Sequence, residues 1–458
     1  TLQSDDKNWG LYRMIKGDSV SNWGSDSTSE ISNKTISTTA SGKNVDVVIV
    51  DEHVNPNHPE FAVNVDGTGG SRVNQINWFQ YSSALGVTTP ATYTYQFEGN
   101  HGTHVAGTAC GNTQGWARDA NIYNMTFSSS GANVSNWSEK LWDYLRYFHN
   151  NKAINPATGR RNPTITNHSW GSGYGGFSTS LVTSVNYRGT TTSLSGKTSA
   201  ERQTILQANG CPVTGGDDFG QGIPAINDAL VADVIDAHND GVILVAAASN
   251  DSWNIESPSG PDYDNYIFVP AAGGRIYHSR GSSPGAIAGV ICVGAISART
   301  AEHKANFSNW GDRVDIWSPG NNIISSVYSQ SSALSDGYGP LAADPRDSSH
   351  YIAAISGTSM ASPQICGILA CLAEQEPNLT QAEALQHLIE NSLSEVNDPG
   401  GNPNSSPYRA FGDSNNRYAF IPKKRSDDGM ASPAQLHKNR NTSASGVKYP
   451  RVKYQTTS

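Results

Sequence analysis

The chain has 458 residues, of which 31 are Lys or Arg and 40 are Asp or Glu, giving a formal charge of −9 at neutral pH. This acidic balance argues against nucleic-acid binding as the main function, and a charged fraction of 16% with 45 glycines argues against a coiled coil or charge-driven disorder. The longest apolar runs, such as residues 242–248, are far shorter than the roughly 20 residues that cross a bilayer. No membrane span is therefore predicted.

Short apolar runs alternate with amphipathic segments along the first 390 residues. The short runs predict strands, which are expected at 46–50, 121–126, 164–167, 241–248, 289–296 and 314–317. Apolar spacing predicts helices at 103–110, 138–149, 225–239, 360–373 and 380–393, and a capping box at Thr380 opens the last of them. This alternation predicts an α/β fold in three layers, with a mostly parallel central sheet and helices on both faces.

Polar segments interrupt the pattern and suggest how the chain is divided. The segments at about 64–98 and 172–222 are rich in Gly, Ser, Thr and Asn, and they are predicted to be long surface-loop insertions. Residues 1–395 are predicted to form one domain that includes both insertions. Residues 396–458 are predicted to form a C-terminal extension that is first turn-rich and then basic.

The basic tail contrasts in charge with the rest of the chain. Residues 423–458 contain eight Lys or Arg and two acids, which gives this segment +6 and leaves the remainder at −15. This contrast suggests that the tail docks on the acidic body of the protein or on an acidic partner. The alternative is a solvated, mobile terminus.

Neither the cysteines nor the N-terminus identifies a special class of protein. Five cysteines without a Cys-X-X-Cys pair give no support to a disulfide scaffold or a thiolate zinc site. The sequence begins at Thr1 without a signal-peptide pattern, and it does not decide whether a leader has been removed.

Three side chains suited to acyl transfer fall at the ends of predicted elements. Asp51 ends the first apolar strand, His101 opens a small-residue helix, and Ser359 precedes an apolar helix. A serine hydroxyl needs an imidazole to take its proton, and the imidazole needs an anion on its other nitrogen. In a parallel sheet such groups converge beyond the carboxyl ends of the strands.

The segments around these residues resemble the three signatures of the subtilisin-like serine proteases, the subtilases of the peptidase S8 family. They are Val47–Asp51, His101–Gly107 and Gly357–Pro363, and their order of Asp, His and Ser is the order of that family. The resemblance implies a subtilisin-like fold. It also implies a serine endopeptidase that hydrolyses peptide bonds through a Ser-His-Asp triad and an acyl-enzyme.

The resemblance carries over residue by residue. Ser359 resembles the nucleophile, and His101 resembles the general base that later acts as the acid. Asp51 resembles the orienting carboxylate, and Asn250 resembles the side-chain donor of the oxyanion hole. The residues that resemble the substrate-binding walls are Ser169, Trp170 and Gly171 on one side and Ala247, Ala248 and Ser249 on the other.

The family also implies partners and a location. It implies a polypeptide substrate and an inhibitory propeptide, and family habit favours an extracellular over an intracellular location. No cofactor is required for the triad chemistry. Calcium has no clear site, because the long calcium-binding loop after the His101 helix is absent, although Gln3 and Glu60 keep the types of two ligands.

The loop at 215–218 is a further candidate calcium site, although a solvated acidic turn is the favoured interpretation. Its residues Asp217 and Asp218 are also a hypothesis for a preference for basic residues at P1, if this insertion reaches the cleft.

The sequence departs from the family pattern in places, and two other functions stay open. Asp51 is followed by Glu52 and His53, where the family has glycine at the second position after the aspartate, and Ser249 stands where glycine is common. One alternative function is a binding or structural module on the same fold. The other is a peptide transacylase, in which an amine replaces water.

Overall fold

The structure is a computed structural model that describes residues 2, 6–17, 35–38, 40–88, 93, 95, 99–126, 137–176, 178–213, 219, 222–298, 302–397, 411, 412, 414–421 and 454–457. For residues 16, 35–37 and 454–457 it describes the backbone alone.

The strands of the described residues belong to one large sheet and several small ones. Their bounds are β1 Thr35–Thr38, β2 Asp46–Asp51, β3 Val73–Asn74, β4 Asn121–Thr126, β5 Thr164–His168, β6 Gly173–Tyr174, β7 Ser184–Tyr187, β8 Thr190–Ser193, β9 Ile223–Pro224, β10 Ile243–Ala247, β11 Tyr266–Val269, β12 Gly274–Tyr277, β13 Ile291–Ile296, β14 Ile316–Pro319, β15 Ile323–Val327, β16 Leu341–Asp344, β17 Asp347–Ile355 and β18 Tyr454–Thr457.

The α-helices of the same residues vary from 6 to 18 residues in length. They are α1 Trp9–Lys16, α2 Asn100–Cys110, α3 Trp137–Asn151, α4 Ser199–Ala208, α5 Asp228–Asn239, α6 Gln330–Ser335, α7 Thr358–Gln375 and α8 Gln381–Glu390. No helix in the described part of the chain combines the length and apolar character needed to span a bilayer.

The central sheet contains seven of the described strands, in the order β14-β13-β10-β5-β2-β4-β3, and every neighbouring pair is parallel. Alternate side chains of β2 enter two different cores. Val47 and Ile49 pack in the core that includes residues of α1, α2, α7 and α8, whereas Val48 and Val50 pack in the core that includes residues of α3 and α5. The three-layer α/β fold predicted from the sequence is therefore confirmed.

Some helix boundaries differ from the predictions by a few residues. The helix predicted to begin at residue 225 begins at Asp228, since the Asn227 side chain accepts a hydrogen bond from the Ala229 N–H. The capping box at Thr380 is present, because the Glu383 side chain accepts a hydrogen bond from the Thr380 backbone N–H. The helix α8 ends at Glu390 rather than at residue 393.

The two insertions contain more regular structure than the predicted surface loops. In the second one, β7 and β8 form a hairpin that joins β11 and β12 in a four-stranded antiparallel sheet, and α4 follows. The hairpin turns at Arg188 and Gly189, which both have positive φ, as a two-residue turn between twisted strands requires. In the first insertion, β3 adds an edge strand to the central sheet.

The chain beyond residue 395 also contributes to the core. Tyr418 is fully buried, and its backbone exchanges two hydrogen bonds of 2.8 Å with Leu393. The guanidinium of Arg13 lies 4.2 Å from the Tyr418 ring centroid, so this segment also holds the N-terminal helix. At the end of the chain β18 pairs antiparallel with β1. The domain division at residue 395 stays a prediction.

Candidate active site

Asp51 and His101 meet at one edge of the central sheet, and Ser359 contacts a residue at the same edge. Asp51 is the last residue of β2 and Ser169 directly follows β5, its parallel neighbour, so both lie at the carboxyl edge. His101 bonds to Asp51, and the Ser359 carbonyl accepts a 2.8 Å hydrogen bond from the Ser169 hydroxyl. The topology thus brings together residues that are separated by up to about three hundred positions in the sequence.

Asp51 and His101 form a hydrogen-bonded pair. The Nδ1 atom of His101 lies 2.7 Å from Oδ1 of Asp51, and the same oxygen accepts the Glu52 N–H at 2.8 Å. The Asp51 side chain is 1% exposed, whereas the His101 side chain is 22% exposed. The buried carboxylate therefore fixes one ring nitrogen, and Nε2 is left as the nitrogen that can exchange a proton.

The charges around His101 favour its protonated form. Burial alone lowers the pKa of His101, but the Asp51 charge and hydrogen bond, together with the charge of Glu52, outweigh it. The pKa of His101 therefore lies above its ordinary value. An imidazole of this kind is suited to accept a proton and to be stabilised as imidazolium.

Ser359 is the second residue of α7, and its side chain reaches the same region. It is 8% exposed, and its hydroxyl donates to the Ser169 carbonyl at 3.2 Å. Among the described residues, this bond takes the place of the predicted bond to His101. A hydroxyl rotates easily, and such bonds are often long or misaligned in a protein without substrate.

The helices that carry His101 and Ser359 pack closely against each other. A Cβ atom at Gly367 of α7 would lie 2.4 Å from the Ala109 carbonyl of α2, so only glycine permits this approach. His104 anchors α2 further, because its Nε2 lies within 3.1 Å of the carbonyls of Ile323 and Ala353. This packing fixes the two side chains relative to each other.

Asn250 holds the N-terminus of α7. Its Oδ1 accepts hydrogen bonds of 2.8 Å from both the backbone N–H and the hydroxyl of Thr358. Since the Thr358 N–H can only donate, Oδ1 must face it, and the amide Nδ2 is turned toward the Gly357 side. Nδ2 lies 3.4 Å from an ideal Cβ position on Gly357. The backbone N–H of Ser359 has no intrahelical acceptor at this position of a helix.

The residues predicted to form the substrate walls converge beside Ser359. The two walls meet at Gly171, where an added Cβ would lie 2.6 Å from the Ser282 hydroxyl and 2.9 Å from the Ser249 hydroxyl. Those hydroxyls lie 2.8 Å apart. Ala247 and Ala248 are only 3% and 2% exposed, so they present little side-chain surface. Trp170 is half-buried, and its ring lies 5.7 Å from that of His168.

Ser282 illustrates what sequence reasoning missed, whereas Ser249 was predicted as a wall residue. Ser282 is more than thirty positions from either wall, and no motif surrounds it, so nothing in the sequence marks it. Ser249 adopts φ of 77°, the left-handed region that favours glycine, which gives a physical reason for the glycine common there in the family.

The segment after Asp51 does not need the glycine that the family pattern contains. Neither Glu52 nor His53 has a positive φ. The glycines lie instead on the segment that packs against residues 52 and 53. A Cβ at Gly99 would lie 2.1 Å from the His53 carbonyl, and one at Gly102 would lie 2.7 Å from the Glu52 carbonyl. The Glu52 carboxylate accepts the His101 backbone N–H at 3.3 Å.

Glu60, considered as a calcium ligand, is engaged in other bonds. Its carboxylate accepts the Thr113 N–H and hydroxyl and the Gln114 N–H at 2.5 to 3.0 Å, and it forms a short ion pair with Arg346. Burial raises the pKa of Glu60, but Arg346 and the hydrogen bonds lower it to about 2. A guanidinium thus holds this carboxylate, and the residues here do not fit a calcium ion.

Other parts of the metal prediction lie outside the described residues. These are Gln3 and the loop at 215–218. The described residues contain no group of three or more His, Cys, Asp or Glu side chains arranged to hold a metal ion.

The comparisons with known proteins identify the family of this chain. The family model of the subtilase family, Peptidase S8, matches residues 42–419. The chain therefore belongs to the subtilase family.

The individual relatives share only a low sequence identity with this chain. The chain is similar to subtilisin-like protease 3 of Arthroderma otae, with 26% identity over 374 residues that cover 81% of this chain and 63% of the relative. It is 26% identical over 385 residues to the subtilisin-like serine protease pepC of Aspergillus niger, covering 83% and 49% of the two chains. The solved structure titled Sphericase matches with a TM-score of 0.52 and 21% identity over 92% of this chain and all of that one. The chain thus spans about half to two thirds of these curated relatives.

Proposed function

We propose that the protein is a serine endopeptidase that hydrolyses peptide bonds through an acyl-enzyme intermediate. The observation that carries the proposal is the 2.7 Å bond between Asp51 and His101, at the sheet edge where Ser359 and Asn250 also lie. Membership of the subtilase family supports the same reaction.

In the proposed first step Nε2 of His101 takes the proton of the Ser359 hydroxyl as that oxygen attacks the substrate carbonyl. Asp51 holds the tautomer in which Nδ1 carries the proton, and it stabilises the imidazolium that forms. The backbone N–H of Ser359 and the side-chain amide of Asn250 donate hydrogen bonds to the oxyanion. His101 then protonates the leaving amine, and water releases the acyl group by the reverse sequence of proton transfers.

The substrate is proposed to bind as an extended polypeptide. Ser169, Trp170 and Gly171 would pair with its backbone on one side, while Ala247, Ala248 and Ser249 would form the other wall. Main-chain pairing accepts many sequences, because only the side-chain pockets discriminate among them. This arrangement fits cleavage within polypeptides.

Turnover and product analysis distinguish this proposal from its alternatives. A mixture of blocked peptides is incubated with the protein in ¹⁸O-labelled water, and the products are identified by mass spectrometry. A hydrolase gives new carboxyl termini that contain ¹⁸O. A transacylase gives spliced peptides in the presence of a free amine, and a binding or structural module gives no new products.

Asn250 provides a separate test of the oxyanion proposal. Asn250→Ala is expected to lower kcat about 10²- to 10³-fold with little change in KM, because the donor acts on the transition state. Asn250→Asp keeps the acceptor for Thr358 but removes the amide donor, so it should lose a similar factor. The exposed Asn150→Ala serves as the control. An Asn250→Asp enzyme with normal kcat would show that Asn250 only holds α7.

Glu52 is expected to influence the pH profile. The imidazole must be neutral to act as a base, and the negative charge of Glu52 raises the pKa of His101. Glu52→Gln should therefore move the acidic limb of kcat/KM to lower pH. Profiles of the wild type, this variant and Glu139→Gln on α3 measure the effect. An unchanged acidic limb of the kcat/KM profile would show that Glu52 does not influence the pKa of His101.

The remaining functional assignments follow from the family. We propose that catalysis requires no cofactor, and that the protein acts outside the cell on polypeptides. An inhibitory propeptide and docking of the basic tail on the acidic body or on a partner are proposed in the same way. Residues 1–395 are proposed as the catalytic domain, and residues 396–458 as a C-terminal extension. Buried residues of the extension, up to Ile421, pack against the catalytic domain.

A further inference from the structure

Asp251 is a carboxylate beside the proposed substrate site that the mechanism does not use. It directly follows Asn250 and lies two residues after Ser249, where the first wall is residues 169–171 and the second wall is residues 247–249. Its backbone N–H donates to Oδ1 of Asn309 at 3.2 Å, and its carboxylate accepts the backbone N–H of Gly222. The side chain is half-buried.

The contact with Gly222 links this carboxylate to the segment that follows the first wall, residues 169–171. Gly222 directly precedes β9, and β9 pairs with β6, which leaves the first wall two residues after Gly171. A Cβ at Gly222 would lie 3.1 Å from the Tyr174 carbonyl of β6 and 3.4 Å from Oδ1 of Asp251. Gly222 thus lies beside Tyr174, after the first wall, and beside Asp251, after the second wall.

Asp251 has no cationic partner among the described residues. Other carboxylates in this part of the protein are paired, such as Asp262 with Arg188 at 2.7 Å and Asp264 with Arg280 at 2.6 Å. Burial disfavours the charged form of such a carboxylate, and a cation supplied by a ligand would offset that cost. The hydroxyls of Ser249 and Ser282 make the adjoining wall polar, which also suits a substrate side chain that donates hydrogen bonds.

We propose that Asp251 gives this site a preference for substrates with lysine or arginine at P1. The inference rests on the proposed function, because it assumes that a polypeptide occupies the cleft between the two walls. The ammonium or guanidinium group would form the ion pair that Asp251 lacks, and the stem of the side chain would lie between the walls.

The charge of Asp251 is expected to change near neutral pH. Burial raises the pKa of Asp251 to about 6, opposed by the Gly222 hydrogen bond, and no other charged side chain of the described residues contributes. The carboxylate is ionised above this pH and protonated below it. The preference for lysine over leucine at P1 should therefore increase from pH 5 to pH 7. The ratio of the two kcat/KM values cancels the titration of His101, which affects both substrates.

The test compares peptides that differ only in P1, as lysine, arginine, leucine or phenylalanine, with wild type, Asp251→Asn and the exposed control Asp143→Asn. Asp251→Asn should lower kcat/KM for lysine and arginine about tenfold to a hundredfold, leave leucine within about twofold, and abolish the pH dependence of the ratio. The control should behave as wild type.

The outcomes separate this inference from the proposed function. Cleavage after leucine with no preference for basic residues, or a preference that persists in Asp251→Asn, would overturn the role of Asp251 and leave the peptidase intact. Failure to cleave any peptide would overturn both.

Discussion

Replacing Ser359 by alanine is expected to lower kcat for peptide hydrolysis about 10⁶-fold. The change removes the only atom proposed to bond to the substrate carbonyl, so hydrolysis would then depend on the oxyanion donors and on binding alone. Substrate binding should persist, because the walls and the backbone donors are unchanged. Progress curves on a fluorogenic peptide measure kcat, and a binding assay with the same peptide measures retained affinity.

A matched control for this variant is Ser356→Ala, three residues earlier in the chain. The Ser356 hydroxyl accepts hydrogen bonds from the Asn321 side chain and the Asn322 backbone N–H at the exposed surface. This variant should retain activity close to wild type. Peptide hydrolysis by the Ser359→Ala protein at more than a thousandth of the wild-type rate would exclude Ser359 as the nucleophile.

Replacing Asp51 by asparagine is expected to lower kcat about 10⁴-fold. The asparagine side chain has nearly the same shape but donates a hydrogen bond to Nδ1, which favours the tautomer with the proton on Nε2. In that tautomer His101 cannot accept the proton of Ser359. The substitution also removes the charge that stabilises the imidazolium, so the rate should recover in part at high pH as other bases take over.

Thermal unfolding and a pH series complete this test. The melting temperature of Asp51→Asn identifies any loss of folded protein, and Asp143→Asn on α3 controls for a lost negative charge elsewhere. A kcat within tenfold of wild type, in a folded protein, would mean that the observed pair between Asp51 and His101 does not serve the reaction.

The core strands were predictable because their residues are buried on both faces. Residues 47–50 of β2 and the whole of β10 are continuous apolar runs, as expected where helices cover both sides of a parallel sheet. The parallel order then predicts that strands end at one edge, and the structure does bring Asp51 and His101 together there.

Features that depend on polar or distant residues were not predictable in the same way. The β7–β8 hairpin consists largely of polar residues, so no apolar alternation revealed it. The ion pair between Glu60 and Arg346 joins residues 286 positions apart, and no local pattern connects them. The bond from the Ser359 hydroxyl to the Ser169 carbonyl likewise depends on a side-chain rotation that the sequence does not determine.

The proposed convergence of Asp51, His101 and Ser359 is tested most directly by labelling the active site with a fluorophosphonate. The adduct is then located by intact-protein and peptide mass spectrometry. A serine whose proton is removed by a neighbouring imidazole should react once per chain, and the adduct should lie on Ser359. Labelling should be lost in His101→Ala and in Ser359→Ala. A folded protein that takes up no label, or that is labelled on a different serine, would contradict the proposed convergence of Asp51, His101 and Ser359 into one reactive site.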